Sequence, residues 1–190
     1  MAHRDQLFET SGRERRYAPK RGGGVVEYLV ILLVAFALVF GFVRPFVAEA
    51  FYIPSESMVP TLEVDDRVLV NKFIYRFTEP ERGDIVVFES LEDSDQDLIK
   101  RVVGVPGDEI AVRDGKLFVN GEPQRESYTN EKLPDVSLYT KTIVPKGHVF
   151  VMGDNRANSQ DSRRFGPLPK ENIEGEAFLR FWPPGRIGLL

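Results

Sequence analysis

The sequence predicts a mostly β fold: a single N-terminal transmembrane helix followed by an antiparallel β-sheet domain with a small β insertion or cap. Three observations predict it. Residues 28–43 form an uninterrupted apolar run without a charge or an amide side chain. Beyond it, Val, Ile, Leu and Phe cluster in short runs bounded by Gly, Pro, Asp and Asn, the pattern of short strands and turns. No segment after the apolar run keeps a 3.6-residue period long enough for a further helix.

The apolar run, with Val25 and Val26 added across Glu27, gives 19 positions. At ~1.5 Å per residue this covers roughly 28 Å, close to the hydrocarbon thickness of a bilayer. A buried helix of a globular domain normally has a polar face, and this segment has none after Glu27. The basic cluster at 13–21 precedes it, which places the N-terminus on the cytoplasmic side. Residues 1–24 are therefore expected to be a cytoplasmic tail, 25–43 the membrane helix and 44–190 an extracytoplasmic domain. A cleaved leader is the rival, with Ala48-Glu49-Ala50 as a small-x-small site. Against it, the run is longer than the usual ~7–15 residues of a leader core. Arg44-Pro45 also stands between the run and that site.

The net charge of −4 resolves along the same boundaries. Residues 1–24 carry six basic and three acidic side chains, a local +3. Residues 25–43 carry only Glu27, and the remaining 147 residues carry 19 basic against 25 acidic, a local −6. An acidic domain argues against nucleic acid as a partner.

Strands are expected over 64–70, 85–88, 99–103, 110–112, 116–119, 148–152 and 177–182. Asp114-Gly115 and Asn120-Gly121 are the dipeptides that two-residue hairpins prefer. Residues 122–141 are polar with weak strand signals and read as a surface insertion within about 109–144. The acidic stretch 92–97 reads as a solvated connector rather than a metal site.

Composition removes several chemistries. There is no Cys, which excludes thiol catalysis and thiolate metal sites. Only two His occur, at 3 in the charged N-terminal tail and at 148, which argues against a zinc hydrolase with its two or three His ligands. Neither Asp-Thr-Gly nor Asp-Ser-Gly occurs, so a paired-aspartate protease lacks support. No metal or cofactor is expected. Three motifs remain.

The first is Ile53-Pro54-Ser55-Glu56-Ser57-Met58-Val59-Pro60-Thr61-Leu62. The two prolines stiffen the segment, and serines two apart face the same way in extended chain. Taken alone it reads first as an ordinary Ser/Pro turn and second as a nucleophile loop with a nearby oxyanion donor. Pro60 stands three residues after Ser57, which excludes a penicillin-type Ser-x-x-Lys.

The second runs from Leu98 to Asp108 and places Lys100 among Val, Ile and Gly. An inward-facing lysine there loses its proton easily, because desolvation disfavours the charged amine, and becomes a general base. An exposed lysine on an edge strand is the commoner meaning of such a pattern. The third, Gly153 to Gly166, is dense in Asp, Asn and Ser, which suits a loop that hydrogen-bonds its own backbone. A calcium loop is rejected, since Arg156 and Ser159 occupy positions that an EF-hand gives to a ligand and a glycine. Asp161 and Arg163 are spaced to pair across a turn.

In this order, after one apolar helix, the motifs closely resemble bacterial type I signal peptidase, a family of Ser/Lys membrane proteases. The resemblance rests on Arg44-Pro45-Phe46, the 53–62 loop, Arg82-Gly83-Asp84-Ile85-Val86-Val87-Phe88, the 100–108 strand and turn and the 153–166 loop, and spans about residues 28–181. It implies Ser57 as nucleophile and Lys100 as general base. It implies Ser55, with the Ser57 main-chain amide, as the oxyanion donors, and Ser159 as the hydroxyl that positions the lysine amine. Asp161 and Arg163 become a supporting ion pair, and Phe51, Ile53, Val87 and Ile99 line shallow pockets for small side chains. Partners implied are secretory preproteins cut after Ala-x-Ala-like sites, the lipid bilayer and the secretion translocon. The implied place is the bacterial inner or plasma membrane. Eukaryotic-type relatives carry His where Lys100 stands. The short 108–145 region resembles members with a reduced second β-domain. A silent anchored scaffold would lack the Ser or the Lys. A self-cleaving repressor-type peptidase would carry a DNA-binding segment in place of the apolar helix.

Overall fold

The computed structural model describes residues 24–43, 48–92, 96–129 and 138–190. The 1–24 tail, except Gly24, and the Arg44-Pro45-Phe46 motif lie outside the described residues, as does part of the 92–97 connector.

Helix α1 (Val25–Leu38) begins directly after Gly24 and runs on into a π-helical segment, Val39–Val43. Residues 24–41 are exposed throughout. The expected single membrane-crossing helix over 25–43 is thus divided between 14 α-helical and five π-helical residues. No helix among the described residues is long and apolar enough to cross a membrane.

The rest is β structure. The larger sheet has eight strands: β1 (Ala48–Tyr52), β2 (Arg67–Asn71), β3 (Ile85–Glu89), β4 (Asp97–Gly104), β9 (His148–Met152), β10 (Leu168–Pro169), β11 (Ile173–Trp182) and β12 (Gly188–Leu189). Their order is β1-β2-β11-β3-β4-β9-β10, with β12 also on β11. The smaller sheet holds β5 (Glu109–Arg113), β6 (Lys116–Val119), β7 (Glu122–Pro123) and β8 (Tyr139–Ile143), in the order β7-β6-β5-β8. All pairings are antiparallel. At both expected hairpins the residues take positive φ (Asp114 50°, Gly115 71°; Asn120 54°, Gly121 82°), as a type I′ turn requires.

Strand β4 positions the chemistry. Its residues 99–104 are all buried, because β4 is flanked by β3 and β9 and covered on both faces. It supplies Ile99 to one apolar cluster with Ile53, Met58 and Val87. Val102 goes to a second cluster with Val86, Phe88 and Val151, and Val103 to a third with Ile110, Phe150 and Met152. A continuous apolar run, rather than alternation, is what a strand buried on both faces shows. Lys100 and Arg101 are the exceptions in that run, with Lys100 paired in register with Val86 and Arg101 with Ile85.

The structure extends several expected strands and adds others. The first expected strand starts at Arg67 rather than 64, since Val64 is exposed and Asp65 turns with φ 72°. Strands β1, β7, β8, β10 and β12 and the short helix α2 (Ser162–Phe165) lie outside the expected strands.

Candidate active site

The 53–62 segment is the connection between β1 and β2, and its own sequence fixes it. Met58 and Leu62, four residues apart on one turn, are fully buried, and the Leu62 amide donates to the Met58 carbonyl at 2.9 Å. The Ile53 amide donates to the Asp66 carbonyl and the Asp65 amide to the Ile53 carbonyl, both at 3.0 Å. With those anchors inside, Ser57 is buried at the floor and Ser55 stays exposed above it. The Ser55 hydroxyl donates to Ser57 Oγ at 3.3 Å.

Lys100 Nζ lies 2.9 Å from Ser57 Oγ and donates to it, across 43 residues of sequence. Its other partner is the Ile99 carbonyl, at 2.8 Å. The side chain is only 3% exposed. Burial pushes the amine down from its ordinary 10.5 to about 8, against an upward pull from the Asp161 and Asp154 carboxylates. That pull is limited because an arginine neutralises each carboxylate. Arg163 Nε and Nη2 donate to Asp161 at 2.9 and 2.8 Å. Arg101 Nε and Nη2 donate to Asp154 at 2.9 and 2.8 Å.

The 153–166 loop follows β9 and is held from within. Asp161 accepts from the Gly153 amide at 3.0 Å and from the Arg163 amide at 3.1 Å, and it caps α2. Ser162 Oγ accepts from the Val151 amide at 3.0 Å. Gly153 has no room for a side chain: a Cβ there would stand 2.3 Å from Ser159 Oγ and 2.4 Å from the Ser57 carbonyl oxygen. This places Ser159 on Gly153, directly beside the backbone of Ser57. The Ser159 hydroxyl is buried and has no hydrogen-bond partner among the described residues, where the amine of Lys100 is held by Ser57 and Ile99.

Phe51, Ile53, Val87 and Ile99 come together in one apolar cluster, the last three buried and Phe51 half-buried against them. Register places Val87 opposite Ile99, and Phe51 opposite Val68.

Sequence reasoning gave no role to five residues that build this site. Asn155 clips the 53–62 loop: its amide donates to the Ser57 carbonyl at 3.0 Å and its Nδ2 to the Glu56 carbonyl at 3.1 Å. Arg101 and Asp154 form a buried pair, and Thr61 Oγ1 donates to Asp154 at 2.5 Å. Arg156 Nε donates to the Gly153 carbonyl at 2.9 Å. One signal was available: an arginine in a strand whose neighbours, Lys100 apart, are apolar requires a buried anion, and the 153–161 loop holds two aspartates. Among the described residues no group of side chains is arranged to hold a metal ion.

Comparison with known proteins gives the family. Residues 25–182 match the family model described as signal peptidase, peptidase S26. The chain is 44% identical over 179 residues to signal peptidase I of Leptolyngbya laminosa, which covers 90% of this chain and 87% of the relative. It is 36% identical over 176 residues to signal peptidase IB of Staphylococcus aureus (strain COL), covering 84% and 90%. A crystal structure of a signal peptidase I from Enterococcus faecalis V583 shares 31% identity at a TM-score of 0.46, over 52% of this chain and 97% of that one. The chain belongs to the S26 family of signal peptidases, and it is a serine hydrolase of that family.

Proposed function

We propose that the protein removes signal peptides from secretory preproteins, using Ser57 as nucleophile and neutral Lys100 as general base, while anchored in a membrane by α1. The observation that carries the reading is the buried 2.9 Å contact between Lys100 Nζ and Ser57 Oγ. In the neutral amine the same contact reverses, and the Ser57 hydroxyl donates to the nitrogen lone pair. Lys100 takes the proton as Oγ attacks the scissile carbonyl carbon. The peptide C–N bond then breaks, and the ammonium returns its proton to the departing amine. A water deprotonated by Lys100 hydrolyses the acyl-enzyme and restores Ser57.

The oxyanion needs donors aimed before the reaction begins. The Ser57 N–H belongs to the peptide unit whose carbonyl is Glu56 O. By donating to that carbonyl, Asn155 Nδ2 fixes the plane of the unit and so the direction of the N–H. The Ser55 hydroxyl is the second donor, and it turns from Ser57 Oγ to the oxyanion. Phe51, Ile53, Val87 and Ile99 offer small apolar pockets, which suit Ala-x-Ala-like sites. Asp161 with Arg163, and Ser159 on Gly153, hold the wall behind the lysine.

The pH dependence follows in sign from Lys100. Its neutral form is the active one, so kcat/KM rises with pH through about 8 and falls in acid. At pH 7 about one-tenth of the enzyme holds the neutral amine. Cleavage of a synthetic preprotein by detergent-solubilised protein, measured from pH 5 to 10, checks this. A rate that is flat, or highest near pH 5, excludes lysine as the base.

Anchoring is supported by the apolar side chains of α1, which are exposed on every side (Val25 76%, Leu33 69%, Phe36 61%). A helix with that distribution finds its surroundings in lipid. The helical backbone of α1 and its π segment together covers 25–43. Exposed Tyr52, Phe178 and Trp182 suit the headgroup level, where aromatic rings settle. The protein should then sediment with membranes and resist alkaline carbonate, and should be released once residues 1–43 are deleted. Recovery of the full chain in the soluble fraction would refute the anchor.

A further inference from the structure

The segment after β7 reads in the sequence as a surface insertion, yet two of its side chains are bound to the arginines of the active site. Glu126 is paired with Arg156, Nη1 to Oε2 and Nη2 to Oε1, both at 2.6 Å. The two side chains are 9% and 5% exposed. Tyr128 Oη donates to Glu126 Oε1 at 2.8 Å. Its ring lies under the guanidinium of Arg101, with Cζ 4.1 Å from the ring centroid, and the Arg156 Cζ is 6.0 Å from the same ring. One short segment therefore touches both arginines.

Each arginine leads into the site by one further bond. Arg156 Nε donates to the Gly153 carbonyl, and Gly153 carries Ser159 and donates its amide to Asp161. Arg101 holds Asp154 and follows Lys100 directly on β4. Planar, bidentate Arg–carboxylate pairs and ring stacking fix guanidinium groups in orientation as well as in place. Neither contact is needed to close a sheet, since β7 ends at Pro123.

We infer that Glu126 and Tyr128 are positioning residues for the peptidase reaction: together they clamp Arg156 and Arg101, and through them the 153–161 loop and Asp154, against Lys100. The inference rests on the Ser57/Lys100 reading. Without the clamp, Arg101 moves off Asp154, that carboxylate loses its counter-charge and water reaches the lysine. The charged groups that act on Lys100 are Asp161 with Arg163 and Asp154 with Arg101. A freed Asp154 and an added hydration both favour the ammonium, so the two effects have one sign.

The test measures preprotein cleavage by the full-length Glu126→Ala and Tyr128→Ala proteins across pH 6–10, beside thermal melting. Each is expected to lose roughly ten- to a hundredfold in kcat, the cost of a slightly misplaced site, with KM changed far less. The acid limb of the kcat/KM profile should also move to higher pH. Tyr128→Phe keeps the ring and should restore most of what Tyr128→Ala loses. Where an alanine variant fails to fold, Glu126→Gln and Tyr128→Leu take its place with the same readouts. Wild-type kcat in the folded variants, or a rate loss with an unmoved acid limb, overturns the inference. Ser57→Ala and Lys100→Met are assayed in parallel. If either of these is active, the underlying reading fails instead; if both are dead and Glu126→Ala is normal, only the clamp fails.

Discussion

Ser57→Ala and Lys100→Met each lower preprotein cleavage by at least about a thousandfold, and the double variant is no worse than either one. The magnitude follows from the division of labour in the proposed mechanism, where without Ser57 no acyl-enzyme forms and without Lys100 the Ser57 hydroxyl loses its base. Composition makes the second point sharp. The only His among the described residues, His148, is bonded to the Lys146 carbonyl at the far end of β9 from the 153–161 loop. Methionine is the informative replacement at 100. It keeps the apolar stem between Val86 and the buried neighbours and removes only the amine. Folding therefore survives, with a melting temperature at or above that of the parent, since a costly buried cation has gone. A Lys100→Met protein that retains a tenth of the parent rate would rule out the lysine as base.

The second large effect is on stability. Asp154 is fully buried and accepts from Arg101 Nε, Arg101 Nη2 and Thr61 Oγ1. Asp154→Ala strands the Arg101 guanidinium in the interior and leaves Thr61 without its acceptor. Breaking a buried pair from one side costs about 3–5 kcal/mol. At about 2–4 °C per kcal/mol for a chain of this size, melting should fall by roughly 10 °C. Asp154→Asn keeps the shape and one acceptor oxygen, so it should fall between parent and Ala. The exposed pair between Lys72 and Glu49 is the internal control, and its loss should change stability by under about 1 kcal/mol. An Asp154→Ala protein that melts within 2 °C or so of the parent would remove the pair from the list of supports.

What the sequence disclosed follows physical range. Strands β3, β6 and β9 are legible because Val, Ile and Phe are concentrated there and Gly or Asp ends each run. The two hairpin turns are legible because only Gly and Asn or Asp sit easily at positive φ. By contrast β1 (AEAFY) and β8 (YTKTI) are only partly covered and carry polar residues, so nothing local distinguishes them from loop. Their pairing is decided by β2 and β5. The same holds at the site. The Ser and Lys motifs stand out as unusual residues in stiff or apolar surroundings. The contacts that hold them do not, because Arg101 and Asp154 are 53 residues apart and Glu126 and Arg156 are 30 apart. Ion pairs at such separations leave no periodicity to read. The close approach at Gly153, with no room for a Cβ, likewise exists only once β9 and the 53–62 loop are both in place.

The place of β11 in the large sheet sets a timetable. It lies between β2 and β3, pairing with both, although it follows β3 by more than 80 residues of chain. While the polypeptide is being made, β1 and β2 can form only a detached hairpin, and the nucleophile segment between them has no sheet to rest on. Arg180, on β11, also donates to the Thr61 carbonyl at 2.6 Å and so fastens the far end of that segment. The Ser57 segment is therefore assembled only after β11 has been synthesised. A growing or truncated chain has no working protease to turn on its neighbours, and the long-range order of strands acts as a delay on activity.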